Sequence, residues 1–171
     1  IKLGSVLPDA NMAWRNDFRW RNFNFGFMVS ARLGGVVFSR TQSMLDYYGV
    51  SEATAAARDA GGVMINGNDL VDANKWYTAI GGGNSVPQYY TYSATNVRLQ
   101  EASIGYTIPK KTLGDICEIT LSLVGRNLWM IYNKAPFDPE TIATTGNYYQ
   151  GVDYFMSPSM RNIGFNLRVK F

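Results

Sequence analysis

A chain of 171 residues without a single histidine lacks the commonest general base and the commonest nitrogen ligand for a metal before any motif is sought. Its lone cysteine, Cys117, excludes an internal disulfide framework. On an alternating segment it reads as a small apolar residue rather than a reactive thiol. Two clusters offer chemistry and fail on spacing. Gly81, Gly82 and Gly83 resemble a phosphate cradle, but no Lys and Ser/Thr follow, and they close a helical stretch where a phosphate loop must open one. Helix termination is the simpler reading. Asn66, Asn68, Asp69 and Asp72 are oxygen donors whose intervals match no EF-hand loop, so a solvated loop is expected. No catalytic residue, cofactor site or metal site is expected, and the chain does not read as an enzyme.

What remains is a set of arginines and a set of aromatic rings. Aromatic residues make up 14% of the chain and charged residues only 17%. Tyr and Trp in such numbers suit a membrane interface, where one end of the ring is apolar and the other wet. The net charge of +3 is small and spread along the chain, which gives no footprint for nucleic acid. No window holds the roughly 18 consecutive apolar residues that a spanning helix needs. Contact with membrane lipid would have to be made by strands.

The elements that position these residues are legible from their period. From Ser159 to Phe171 the alternation is unbroken, with Ile163, Phe165, Leu167, Val169 and Phe171 on one face and Asn162, Gly164, Asn166, Arg168 and Lys170 on the other. Met12, Trp14, Phe18 and Trp20 share a face, interrupted by Asn16. After Arg21 and Asn22 the pattern restarts with Phe23, Phe25, Phe27, Val29, Ala31 and Leu33. Such a two-residue connection makes a tight hairpin. Its other face carries charge and glycine, where a soluble core would carry aliphatic residues. Strands are expected at about 12–20, 23–34, 97–108, 116–130 and 160–171. A phase break near Gln100 and Glu101 predicts a bulge. Between strands, three short helices are expected, capped by Ser39, Ser51 and Asp72 and stopped by Gly49, by Gly61 and Gly62, and by the triple glycine.

The short turns at Arg21 and Asn22 and at Lys110 to Asp115 alternate with long connections at about 35–96 and 133–158. Short turns on one side and long loops on the other are the habit of a transmembrane antiparallel β-barrel, with the long loops outside the cell. The fold class is therefore all-β, with short helices carried on the outer loops. By parity, Arg15, Asp17, Arg19, Arg32, Arg98 and Arg168 face the lumen. Contact with a plug or with counterions is the simple reading for them, and contact with substrate the sharper one. Trp76, Tyr77, Tyr89, Tyr90, Tyr148, Tyr149, Tyr154 and Phe155 fall on the long loops. They are candidates for stacking a substrate or anchoring a partner, against the alternative that the loops pack on themselves. Pro136 and Pro139 stiffen a turn around Phe137, which is expected to be buried and to position a partner contact.

The runs Asn133 to Glu140 (NKAPFDPE) and Tyr148 to Phe155 (YYQGVDYF) resemble the C-terminal signature of SusC/RagA-type TonB-linked outer-membrane proteins of Bacteroidetes. In the same order, Trp14 to Phe18, Ala57 to Asp59 with Gly61 and Gly62, Ala94 to Leu99, and Gly125 to Leu128 match as well. The resemblance implies a plugged barrel of about 22 strands, of which this chain supplies about the last five. It also implies import of a nutrient, usually a glycan or a peptide, energised by TonB, with a SusD-like lipoprotein as lid. The plug and the TonB box are absent from these residues, so the TonB complex would be met through other parts. A chain that opens at Ile1 without Met reads as the tail of something longer. On that reading the last strand runs inward to the periplasmic rim, and Phe171 resembles the signal taken by the barrel-assembly machinery. A passive porin or structural barrel is the alternative, and a soluble β-rich adhesin or enzyme domain comes last.

Overall fold

The computed structural model describes every residue except 144, 145, 147 and 148. Among the described residues the order is β1 (Ala10–Trp20), β2 (Phe23–Leu33), β3 (Val36–Ser39), α1 (Arg40–Tyr47), α2 (Glu52–Asp59), β4 (Val63–Ile65), β5 (Asp69–Val71), α3 (Ala73–Ile80), α4 (Pro87–Tyr90), β6 (Thr91–Ser93), β7 (Asn96–Ile108), β8 (Glu118–Asn133), β9 (Val152–Asp153) and β10 (Asn162–Lys170). The chain divides into two compact units: residues 1–7, 35–93 and 139–157 form one, and residues 8–34, 94–138 and 158–171 the other.

The second unit is a five-stranded antiparallel sheet in the order β1-β2-β7-β8-β10. Its period-2 segments pair so that apolar residues meet apolar residues across the sheet, Asn16 opposite Phe27 being the exception in the first pairing. Phe18 lies opposite Phe25, Phe25 opposite Ile104, Ile104 opposite Leu123, and Leu123 opposite Phe165. A slip of one residue in any pairing would reverse one strand against the rest. Arg21 adopts the left-handed conformation (φ 54°) that a two-residue hairpin demands.

The bulge expected near Gln100 is present. Met28 pairs with Glu101 while Val29 pairs with Leu99, and the β7–β8 register shifts at the same place. Gln100 is the extra residue. By absorbing it, the strand keeps both Leu99 and Ala102 in line with the apolar partners Val29 and Phe27. On β8 the shift leaves Asn127 and Leu128 outside the pairing, with Asn127 at φ 52°.

The first unit is built on a small sheet, β6-β3-β9, in which β3 pairs antiparallel with β6 and parallel with β9. The three expected helices are there with their expected caps. Ser39 accepts from the Gln42 amide at 3.1 Å, Ser51 from Thr54 at 3.2 Å and Asp72 from Lys75 at 3.1 Å. Helices of this length are marginal alone, and here α3 packs against both α1 and α2. Val37, Ala73, Ile80 and Tyr90 are buried. Gly81 ends α3, and a Cβ there would stand 2.8 Å from the carbonyl oxygens of both Ser43 and Tyr77. The triple glycine thus stops α3 and lets it close on α1.

Candidate functional site

Two faces of the five-stranded sheet differ completely. On one, Phe18, Ile104, Leu123 and Phe165 are 55%, 53%, 52% and 69% exposed, although they form a single cross-strand row. An apolar surface of this extent marks an interface with lipid or with another protein. Aromatic residues cluster in two further rows. Trp20, Phe23 and Tyr106 lie opposite one another beside the short turns, with the Phe23 and Tyr106 rings 4.9 Å apart. Toward the long loops, Trp14 and Trp129 share the row that passes through Val29 and Leu99. Trp20 lies six positions after Trp14, which is about 20 Å along a strand. That distance approaches the apolar band of about 25 Å, flanked by aromatic girdles, on transmembrane barrels.

The opposite face is polar. Arg15 bonds Asp17 at 2.9 Å and lies 3.9 Å from Glu101, which also takes Arg126 at 3.1 Å. Arg15, Glu101 and Arg126 belong to one row across the sheet, so the charges alternate in sign along it. Gly26 and Gly105 keep this face shallow, since a Cβ at either would stand 2.6 Å from the Asp17 carboxylate or 2.7 Å from the Ser122 hydroxyl. Arg19 and Arg168 are exposed and Arg32 is half-buried.

Arg98 is different from the other arginines. Its guanidinium is sealed from solvent and donates to Asp138 Oδ1 at 2.7 Å, Asn127 Oδ1 at 3.0 Å and the Ser159 hydroxyl at 3.3 Å. Ser159 in turn donates to the other Asp138 oxygen. Parity put Arg98 on the lumen-facing side of its strand, and a partner 40 residues away in the chain holds its guanidinium. The bulge at Asn127 turns its amide toward this cluster.

The aromatic candidates separate by burial. Tyr89, Tyr149, Tyr154 and Phe155 are exposed, and Trp76 and Tyr77 are half-buried. Trp76 packs edge-on to Tyr89 at 5.6 Å, and Tyr154 edge-on to Phe155 at 5.3 Å. Tyr90, by contrast, is 1% exposed, because the short helix α4 turns it into the core beside Asp46. It is a core residue and not a surface contact. Burial, and then the negative charge of Asp46, push its phenol far above the usual tyrosine range. Tyr148 lies outside the described residues. Phe137 is half-buried rather than buried, since Ala135 and Pro139 occupy the sealed positions of that turn. Asn133 fixes the turn by donating to the carbonyls of Ala135 at 2.9 Å and Phe137 at 2.7 Å.

Within the loop unit, Ser39 has a second role that its cap did not reveal. Its hydroxyl donates to the buried Asp153 carboxylate at 2.8 Å while accepting from Gln42. Thr41 accepts from the Phe155 amide at 2.6 Å. Together these bonds hold β9 and the residues after it on β3 and α1. Beside them opens a largely apolar cavity of about 540 Å³, lined by Phe38, Arg40, Ala143, Tyr149, Val152 and Tyr154. Of the oxygen donors near residue 66, Asn68 and Asp69 are exposed. Asn66 and Gly67 turn the chain between β4 and β5, and Asp72 caps α3.

An open antiparallel sheet with one apolar, aromatic-bordered face and one charged face is a wall segment of a transmembrane-type β-barrel. No family model matches the chain. Two curated proteins of Formosa agariphila are similar to it over its length: TonB-dependent receptor P3, 25% identical over 177 residues and 99% of this chain, and TonB-dependent receptor P26, 26% identical over 182 residues and 100% of it. The chain spans only 17% and 18% of those two relatives. The solved structure of the RagAB peptide importer in its open-open state shares the fold, with a TM-score of 0.70 at 14% identity over 98% of this chain and 18% of that one. The resemblance to SusC/RagA-type TonB-dependent receptors read from the sequence motifs is borne out by these similarities. Both relatives are described as receptors.

Proposed function

We propose that this chain is the C-terminal part of the barrel wall, with two outer loops, of an outer-membrane nutrient importer energised through TonB. The observation that carries the reading is the apolar row Phe18, Phe25, Ile104, Leu123 and Phe165, bordered by aromatic rows about 20 Å apart. β1 and β10 each pair on one side only among the described residues, and the rest of the barrel would take up those edges. The charged face then turns to the lumen, where the alternating row through Arg15, Glu101 and Arg126 suits contact with a plug. The two long connections fall on the outer side by the alternation of short turns and long loops, and their exposed Tyr89, Tyr149, Tyr154 and Phe155 supply contacts for cargo or for a SusD-like surface lipoprotein. The cargo is an oligosaccharide or a peptide. The RagAB importer carries peptides by its description, which keeps the second class in view.

The test is uptake by cells that express the whole receptor, with and without a working TonB. Uptake that needs TonB supports the reading, and equal uptake in both strains points to a passive porin. A lipophilic probe that fails to label cysteines placed at Phe23, Phe25 and Phe27 would remove the membrane assignment itself.

A further inference from the structure

We propose that the pocket walled by Asp46, Tyr48, Thr54, Arg58, Asn74 and Tyr77 is a binding site for a neutral, polyhydroxylated ligand of one or two rings. The pocket lies wholly within the loop unit, between the end of α1, α2 and the start of α3. Its volume of about 320 Å³ falls at the small end of ligand sites.

The case rests on unused hydrogen-bonding capacity of both kinds. Asp46 is 5% exposed and lines the pocket. Its carboxylate accepts from the side-chain amide Nε2 of Gln42 at 2.7 Å and lies beside the phenol of Tyr90, with no ion pair among the described residues. A carboxylate offers about four acceptor positions, more than the Gln42 amide and the Tyr90 phenol take up. Arg58 carries five donors and spends one on the Gly49 carbonyl at 2.8 Å. The side chain of Asn74 is exposed and supplies both a donor and an acceptor. Between them stand the rings of Tyr77, half-buried, and Tyr48, exposed and edge-on to Tyr47.

The mixture of signs selects the ligand. An anion would meet the buried carboxylate of Asp46, and a cation would meet the guanidinium of Arg58 at the rim. A purely apolar ligand would strip water from both without replacing its hydrogen bonds. A ring bearing several hydroxyls donates to Asp46, accepts from Arg58 and Asn74, and lays its C–H face on a tyrosine. As a place where cargo is held, the site rests on the importer reading; as a binding pocket it does not.

The experiment uses the whole receptor in detergent and a panel of neutral mono- and disaccharides, with binding followed by titration calorimetry. Saturable binding by a member of the panel is expected, weakened about tenfold or more by Asn74→Ala and by Asp46→Asn. The corresponding amino sugar and uronic acid should bind less well than the neutral sugar. Because Asp46 is buried, circular dichroism checks that its variant is folded, and the exposed Asn74 provides an independent reading. Absence of saturable binding across the panel overturns the proposal, as does binding that neither variant weakens or a preference for the charged analogues. If the sugar binds as expected but uptake ignores TonB, the importer reading fails and the pocket stands. If uptake needs TonB and the panel does not bind, the pocket alone fails.

Discussion

Arg98 and Asp138 meet at 2.7 Å with side chains only 3% and 9% exposed, and the pair joins strand β7 to the start of the second long loop. Ser159, at the return of that loop, bonds to both partners. One guanidinium therefore closes the base of a 28-residue connection between β8 and β10. Breaking a buried pair leaves the other charge unpaired, at a cost of about 3–5 kcal/mol. Arg98→Met or Asp138→Asn should lower stability by that order and expose the loop base to protease. The double variant Arg98→Met with Asp138→Leu should recover much of the loss, because no buried charge remains. Urea unfolding of the whole receptor and limited proteolysis check both parts. Equal stability of wild type and Arg98→Met would show that the pair is solvated.

The two faces of the sheet should respond oppositely to charge. Ile104→Lys puts an ammonium on the apolar face and should cost about 2–4 kcal/mol if that residue lies near the bilayer middle. Ser103→Lys, one residue along and on the polar face, should be tolerated. Surface abundance and unfolding in lipid vesicles compare the two. A result in which Ser103→Lys is the more harmful would invert the assignment of faces.

Ser39 joins two roles, as cap of α1 and as donor to Asp153. Ser39→Ala should cost about 1–3 kcal/mol, combining a lost cap with an unsatisfied buried carboxylate oxygen. Hydrogen exchange should rise together in α1 and β9. Faster exchange confined to α1 would mean that the Asp153 bond contributes nothing.

Tyr90 predicts an alkaline limit for the loop unit. Its folded pKa is raised, first by burial and then by Asp46, above the usual value of about 10. The folded state therefore holds the proton more tightly. Its contribution is complete below about pH 10 and falls progressively above it. Tyr90→Phe should remove that part of the loss. Melting curves of both proteins across the alkaline range make the comparison, and parallel curves would place the limit elsewhere.

Most of the architecture was legible because it follows from short-range chemistry. A period of two in Phe23 to Leu33 and in Ile163 to Val169 can be satisfied only by a strand with one apolar face. Ser39, Ser51 and Asp72 announce helix starts because each supplies an acceptor for an otherwise orphaned amide. Even the bulge at Gln100 showed itself, since the apolar parity changes there. The candidate site was less legible. Tyr90 has the same composition signal as Tyr89, and only the path of α4 sends one ring inward and leaves the other outside. The β3–β9 pairing leaves no local signal, because β9 is two residues long and its partner lies more than a hundred residues earlier.

By itself, the sequence determined the strand faces, the alternation of short turns with long loops, the helix caps and the absence of histidine chemistry, all of which depend on neighbours a few residues apart. The tertiary structure alone decided that Arg98 finds Asp138, that Ser39 reaches Asp153, and that Asp46, Arg58, Asn74 and Tyr77 surround one pocket. The physical reason is range: a charge or hydroxyl on an alternating or helical segment has a defined face but no defined partner. The partner is chosen only when segments distant in the chain are brought together and their polar groups must be satisfied away from water.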